Sequence, residues 1–142
     1  MIGKYSAKLD EKNRLFVPSK LRGELGETFF VTLGVNCGHR CLTIYTADEW
    51  QKLSENYNAL SQSQRAKGPN VIFNNAIECN PDKQFRFALN SFLTQFAGID
   101  REVMIVGCAG QAEIWDVAEY EAYEAENMSP EKLLAALEAI GL

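Results

Sequence analysis

The sequence predicts an α+β fold dominated by β-structure: a closed barrel in which two similar halves interleave about a pseudo-twofold axis, with flanking helices. Three observations carry this prediction. The chain aligns with itself, its apolar residues alternate at strand period in short runs, and a half of ~60 residues is too small to bury a core alone. With 142 residues, 46% hydrophobic and 23% charged, the composition is that of an ordinary globular domain, which excludes a disordered tail and a multidomain machine.

The self-alignment sets the element order. An offset of 72 pairs Asp10 with Asp82, Arg14 with Arg86, Leu21 with Leu93, Gly26 with Gly98 and Val31 with Val103. The offset then falls to 70, pairing Ile44 with Ile114, Tyr45 with Trp115, Glu49 with Glu119 and Trp50 with Tyr120. Lys4 to Leu9 alternates as a half-buried strand, with Tyr5, Ala7 and Leu9 inward. Arg14 to Val17 is a second short strand stopped by Pro18, which with Ser19 opens a short helix ending at Gly26. Phe29 to Leu33 and Cys41 to Tyr45 predict a hairpin around a loop from Gly34 to Arg40. Thr46 and Glu49 have capping-box spacing, and Trp50, Leu53, Tyr57 and Leu60 form the stripe of the helix that follows. Asp116 and Glu119 repeat the box. Ser61 to Asn70 is polar and contains Gly68-Pro69, so it is a loop or a helix broken there. After Met128, Ser129 and Pro130 open a last helix whose Leu133, Leu134, Leu137 and Ile140 need a surface to cover them. The division is a first repeat over 1–60, a connector over 61–74, a second repeat over 75–125 and a C-terminal helix over 126–142, in one composite domain.

The formal charge of -5 argues against a polyanion as partner, but the charge is unevenly placed. Residues 1–22 hold Lys4, Lys8, Lys12, Arg14, Lys20 and Arg22 against Asp10 and Glu11, whereas residues 111–142 carry eight acids against Lys132 alone. Such asymmetry orients a molecule on a polyanion or draws neighbouring copies together. No apolar run is long enough to span a membrane and the first residues lack the apolar core of a signal peptide, so a soluble, cytoplasmic protein is expected. The four cysteines are too few and too irregularly spaced for a disulfide framework. Cys37-x-His39-x-Cys41 offers a weak zinc reading, and Asp10 with Asp82 offers a pseudo-symmetric carboxylate pair of the kind an acid protease uses. Neither has the sequence context its chemistry needs, so no enzyme, metal or cofactor is expected.

Residues 9–22 are the most informative. Asp10 to Asn13 is a turn in which Asp accepts backbone N–H groups and Asn tolerates positive φ. Lys12, Arg14, Lys20 and Arg22 are held around it on short rigid elements, a pattern suited to phosphate contacts and an arginine that reads guanine. Asp10-x-Lys12-Asn13-Arg14 followed by Pro18-x-Lys20-Leu21-Arg22 resembles the Asp-x-Lys-Gly-Arg…Pro…Arg motif of the MraZ family, relatives of the AbrB swapped-hairpin DNA-binding proteins. Glu78-Cys79, Asp82-Lys83-Gln84-x-Arg86, Ala97-Gly98 and Glu113-Ile114-Trp115 are similar to that family's second half. The resemblance implies a double-psi-like barrel from two intrachain repeats. It also implies a ring-forming homo-oligomer in the nucleoid that binds double-stranded DNA at repeated promoter boxes and regulates the division and cell-wall gene cluster.

Departures from the family motif fall mostly in the second half, where Phe85 replaces Gly, Asn90 replaces Pro and Thr94 replaces Arg. A bulky Phe suits a positive-φ turn poorly, so the second loop is expected to have lost much of its DNA role. DNA contact is assigned chiefly to Lys12, Arg14, Lys20 and Arg22, with Lys83 and Arg86 as weak candidates. Thr94→Arg is expected to leave binding unchanged or improve it. The competing reading is a ring-forming scaffold that binds protein and no longer binds DNA.

Overall fold

The structure is a computed structural model describing residues 1–142. The first half runs β1 (Lys4–Lys8), β2 (Arg14–Phe16), a 3-10 turn (Ser19–Leu21) leading into α1 (Arg22–Leu25), β3 (Phe29–Asn36), β4 (His39–Thr46) and α2 (Ala47–Asn58). Two short helices, α3 (Gln62–Ala66) and α4 (Pro69–Asn74), form the connector, broken at Gly68 with Pro69 opening the second. The second half repeats the order with β5 (Ile77–Cys79), β6 (Arg86–Ala88), α5 (Ser91–Phe96), β7 (Glu102–Cys108), β8 (Gln111–Asp116) and α6 (Val117–Glu126), and α7 (Pro130–Ala139) follows.

The strands form two sheets. Six of them run β1-β7-β8-β4-β3-β5, and β2 pairs with β6 in a separate ribbon. The order is palindromic in the two halves, so the pseudo-twofold axis lies between β8 and β4, where Thr43 faces Glu113. It crosses the ribbon where Leu15 faces Phe87. Each facing pair is separated by the offset that the self-alignment assigns to it. Two equivalent hydrogen bonds extend the ribbon, from Val17 N to Phe85 O and from Leu89 N to Asn13 O, both 2.8 Å.

The expected closed barrel is corrected in one respect: the six-stranded sheet is open, with β1 and β5 as its edges. The chain leaves each edge strand at Leu9 or Cys79 to enter the ribbon, which lies over the sheet instead of joining its edges. Leu15 and Phe87 from the ribbon, Phe29, Val31 and Ile44 from one half of the sheet and Val103, Ile105 and Ile114 from the other form one buried core. Both halves contribute to that one core, in keeping with the small size of each.

The hairpin is also longer than expected, with β3 and β4 paired from Phe29–Thr46 to Asn36–His39. Its turn is only Cys37-Gly38, both at positive φ (50° and 81°), the geometry that matches strand twist in a two-residue hairpin. Thr46 and Asp116 cap their helices by accepting N–H bonds from Glu49 and Glu119 at 3.2 and 3.1 Å. The reciprocal half of each box is absent. Glu49 binds Lys52, and Glu119 binds His39.

His39 fastens α6 to the hairpin. Its Nδ1 lies 3.1 Å from Glu119 and its Nε2 2.8 Å from Glu126, with Trp115 and Tyr123 beside the ring. Hydrogen bonds to Glu126, then Glu119, raise its pKa above the ordinary value of 6.5, because a doubly bonded imidazole is held as the cation. A raised pKa gives stability that is complete below the unfolded value and is lost as pH climbs through the folded one. Hydrogen exchange in α6 is therefore expected to speed up as pH rises through that range, and His39→Gln is expected to abolish this dependence. An α6 that exchanges at a pH-corrected rate independent of His39 would refute the latch.

Ser129 caps α7, accepting from Lys132 N at 3.3 Å. Its Leu133, Leu134, Leu137 and Ile140 are all exposed, so the stripe that needs a surface finds none in this chain.

Candidate nucleic-acid interface

Each repeat builds the same turn from its own Asp. Asp10 Oδ1 accepts the N–H groups of Lys12 and Arg14, both at 2.9 Å, while Oδ2 accepts Arg14 Nε at 2.7 Å. Asp82 does the same with Gln84 N, Arg86 N and Arg86 Nε, all at 2.9 Å. The N–H of Arg14 leads the causes that hold the Asp10 carboxyl below its ordinary pKa, and Arg86 does so for Asp82. Two carboxyls stabilised as anions by their own turns are the reverse of a pair sharing a proton, so the protease-like pair has no geometric support.

Asn13 and Phe85 occupy the left-handed position of these turns at φ 56° and 62°. Phe85 therefore forms the turn to which it looked poorly suited. The aromatic residue pays a strain that Asn13 largely avoids, and a contact from the other repeat offsets it: the Arg22 guanidinium stacks on the Phe85 ring at 4.0 Å. Arg22 Nε also donates to Val17 O at 3.0 Å. Arg22 thus braces the second turn.

Asn90, in place of Pro, caps α5 by accepting Leu93 N at 2.9 Å. Thr94, the counterpart of Arg22, is 7% exposed, and its hydroxyl donates to Ser91 O. That burial adds a stability cost to Thr94→Arg, beside the effect on binding expected from the sequence. An arginine there must bury a guanidinium or push α5 off the core, so a loss of about 2 kcal/mol or more is expected in denaturant unfolding. Wild-type stability in that variant would show that α5 has room the packing does not reveal.

The ribbon presents one face to the core and one outward. Leu15 and Phe87 point in, whereas Phe16 and Ala88 are exposed and share the outward face with Arg14 and Arg86. Each arginine is tethered through Nε, and its terminal Nη groups have no acceptor within the protein. Lys12 and Lys83 in the two turns, and Lys20 in the 3-10 turn after β2, are exposed and without a carboxylate partner. By contrast, Lys4 pairs with Glu124 at 3.0 Å and Lys8 with Glu102 at 3.7 Å. Two of the six N-terminal cations therefore pair with carboxylates of the second half, and Lys12 and Lys20 pair with none.

The sequence reading missed two residues here. Arg101, from the loop before β7, shares a shallow hollow with Asp10, Glu11, Lys12 and Arg14, and Phe16 shares the outward face with the arginines. Neither is among the residues the two repeats share. The zinc reading fails on geometry as well. The two nitrogens of His39 face different carboxylates on opposite sides of the ring. Burial pushes the Cys41 and Cys79 thiols up to about 12, and thiols held protonated ligate metal poorly. No helix is long and apolar enough to cross a membrane.

These features define a class: a duplicated α+β protein whose halves join through a two-stranded ribbon bracketed by paired Asp-x-x-x-Arg turns. The family model described as "MraZ protein, putative antitoxin-like" matches residues 1–68 and again 72–138. The chain belongs to the MraZ family. It is 33% identical to the "Transcriptional regulator MraZ" of Halothermothrix orenii over 144 aligned positions, covering 99% of both chains. Identity to the protein of the same name from Clostridium tetani is 34%, again covering 99% of both. The Carboxydothermus hydrogenoformans relative is 40% identical over 117 positions, covering 80% of this chain and 79% of its own.

Proposed function

We propose that this protein is a DNA-binding transcriptional regulator that meets the duplex with the outward face of its β2–β6 ribbon. The observation that carries the reading is the pair of pseudo-symmetric arginines, Arg14 and Arg86, each fixed through Nε with its Nη groups unclaimed. A preorganised guanidinium of that kind suits bidentate contact with a guanine or a phosphate. Lys12, Lys20 and Lys83 supply phosphate contacts, Arg22 positions the second turn, and the second repeat takes a full share. The names of the relatives support the same reading, and no catalytic step is part of it.

The finer elements of the proposal are a homo-oligomeric ring, tandem boxes in the protein's own promoter region, control of division and cell-wall genes, and a cytoplasmic, nucleoid-associated location. The repeats act as one composite domain with a double-psi-like crossing of ribbon and sheet. A ring suits the charge balance, because a few cations per chain bind weakly alone and strongly when several copies engage consecutive boxes. The decisive experiment is a salt titration on duplexes carrying one, two and three boxes. About four phosphate contacts per chain predict a log–log slope near -3.6 per engaged chain. A flat or absent response would favour the second reading, a protein-binding scaffold, which draws on the exposed leucines of α7.

A further inference from the structure

We infer that Phe16 is a specificity-determining residue of the ribbon, packing its ring against the 5-methyl group of a thymine in the major groove. The inference rests on the proposed DNA-binding function and deepens it. Phe16 is 55% exposed although both neighbours in sequence, Leu15 and Val17, are buried at 0% and 2%. The alternation of the strand places it outward, directly across from Arg86 and two residues along from Arg14. It therefore shares one face with two guanidinium groups whose Nη atoms have no protein acceptor.

A two-stranded ribbon fits the major groove, where thymine alone presents a methyl group and where Phe is a suitable contact for it. The flanking arginines set the depth and register, which an apolar ring cannot do by itself. The counterpart of Phe16 in the second repeat is Ala88, also exposed. The two ends of the ribbon thus differ in reach, and the thymine preference belongs to one end of the bound site. An apolar ring on a cationic face is costly to leave in water, and burying it against a methyl removes that cost.

The test starts from duplexes enriched out of a randomised pool by the wild-type protein. Each thymine is then replaced by deoxyuridine, which removes only the methyl group. Wild-type binding is expected to weaken about 4-fold per engaged chain at one or two thymines, the worth of one buried methyl. Phe16→Ala is expected to bind the thymine duplex more weakly by the same factor and to ignore the replacement. Phe16→Leu is expected to retain part of the discrimination, and the salt slope should persist in both variants because no charge is removed. Wild-type indifference to every deoxyuridine would overturn the inference, as would discrimination that survives in Phe16→Ala. So would a changed sedimentation coefficient of that variant, which would make Phe16 a subunit contact. Failure of the pool to enrich any duplex would overturn the DNA-binding reading itself, and the selection step reads that result separately.

Discussion

Arg14→Ala is expected to weaken binding to a specific duplex by about 5- to 150-fold, the ~1–3 kcal/mol carried by a bidentate arginine, while the melting temperature stays within a few degrees of wild type. The structure separates the two effects. Removing the guanidinium leaves the Asp10 carboxylate with the N–H groups of Lys12 and Arg14, both at 2.9 Å, so the turn keeps its main support. The lost ion pair is partly exposed, at 28% and 37% for the two side chains, and pairs of that kind contribute little to stability. Arg86→Ala is expected to behave alike, because its turn has the same bonds. Anisotropy titrations at fixed salt, run beside calorimetry, check both variants. Binding that persists in the double variant would remove the ribbon from the interface, and unfolding of either single variant would make its arginine a structural residue.

Phe87→Ala should have the largest effect on stability, about 3–5 kcal/mol, or on the order of 10–20 °C in melting temperature for a domain of this size. Phe87 is 4% exposed, faces Leu15 across the ribbon and meets Phe29 edge-on at a centroid distance of 5.0 Å. Its removal opens a void where both halves and both sheets converge. Thermal denaturation followed by circular dichroism measures the loss. A shift of only a degree or two would mean that the ribbon is peripheral to the core. Since Arg14→Ala spares the fold and Phe87→Ala spares the charged face, the pair separates loss of contact from loss of structure.

The repeat was legible because both turns keep Asp and Arg four residues apart, a spacing imposed by the three hydrogen bonds each Asp accepts. The offsets of 72 and 70 name the equivalent residues, and the strand registers show which equivalents meet at the axis, Leu15 with Phe87 and Thr43 with Glu113. The basic turn residues were legible too, as was the apolar stripe of α7, though not that this chain leaves the stripe uncovered. Other features depend on tertiary contacts that no local pattern reports. Cys37 is an unusual residue for the left-handed position of a hairpin, so the strands read as shorter than they are. Phe85 looked incompatible with its turn because the guanidinium that stacks on its ring, that of Arg22, is 63 positions away in sequence. Thr94 looked like a deleted surface cation, yet burial makes it a packing residue. Closure of the barrel was inferred from the need to remove sheet edges, whereas β1 and β5 remain edges beside the ribbon.

The ribbon joins strands of one polypeptide, and this sets how the subunit responds to dilution. A comparable ribbon assembled from two separate chains would come apart at low concentration by mass action, and its melting point would follow the amount of protein present. Here the encounter of β2 with β6 is unimolecular, so the outward face of the ribbon forms fully in a lone molecule and stays intact on dilution. Concentration then has no hold on whether each ribbon is complete.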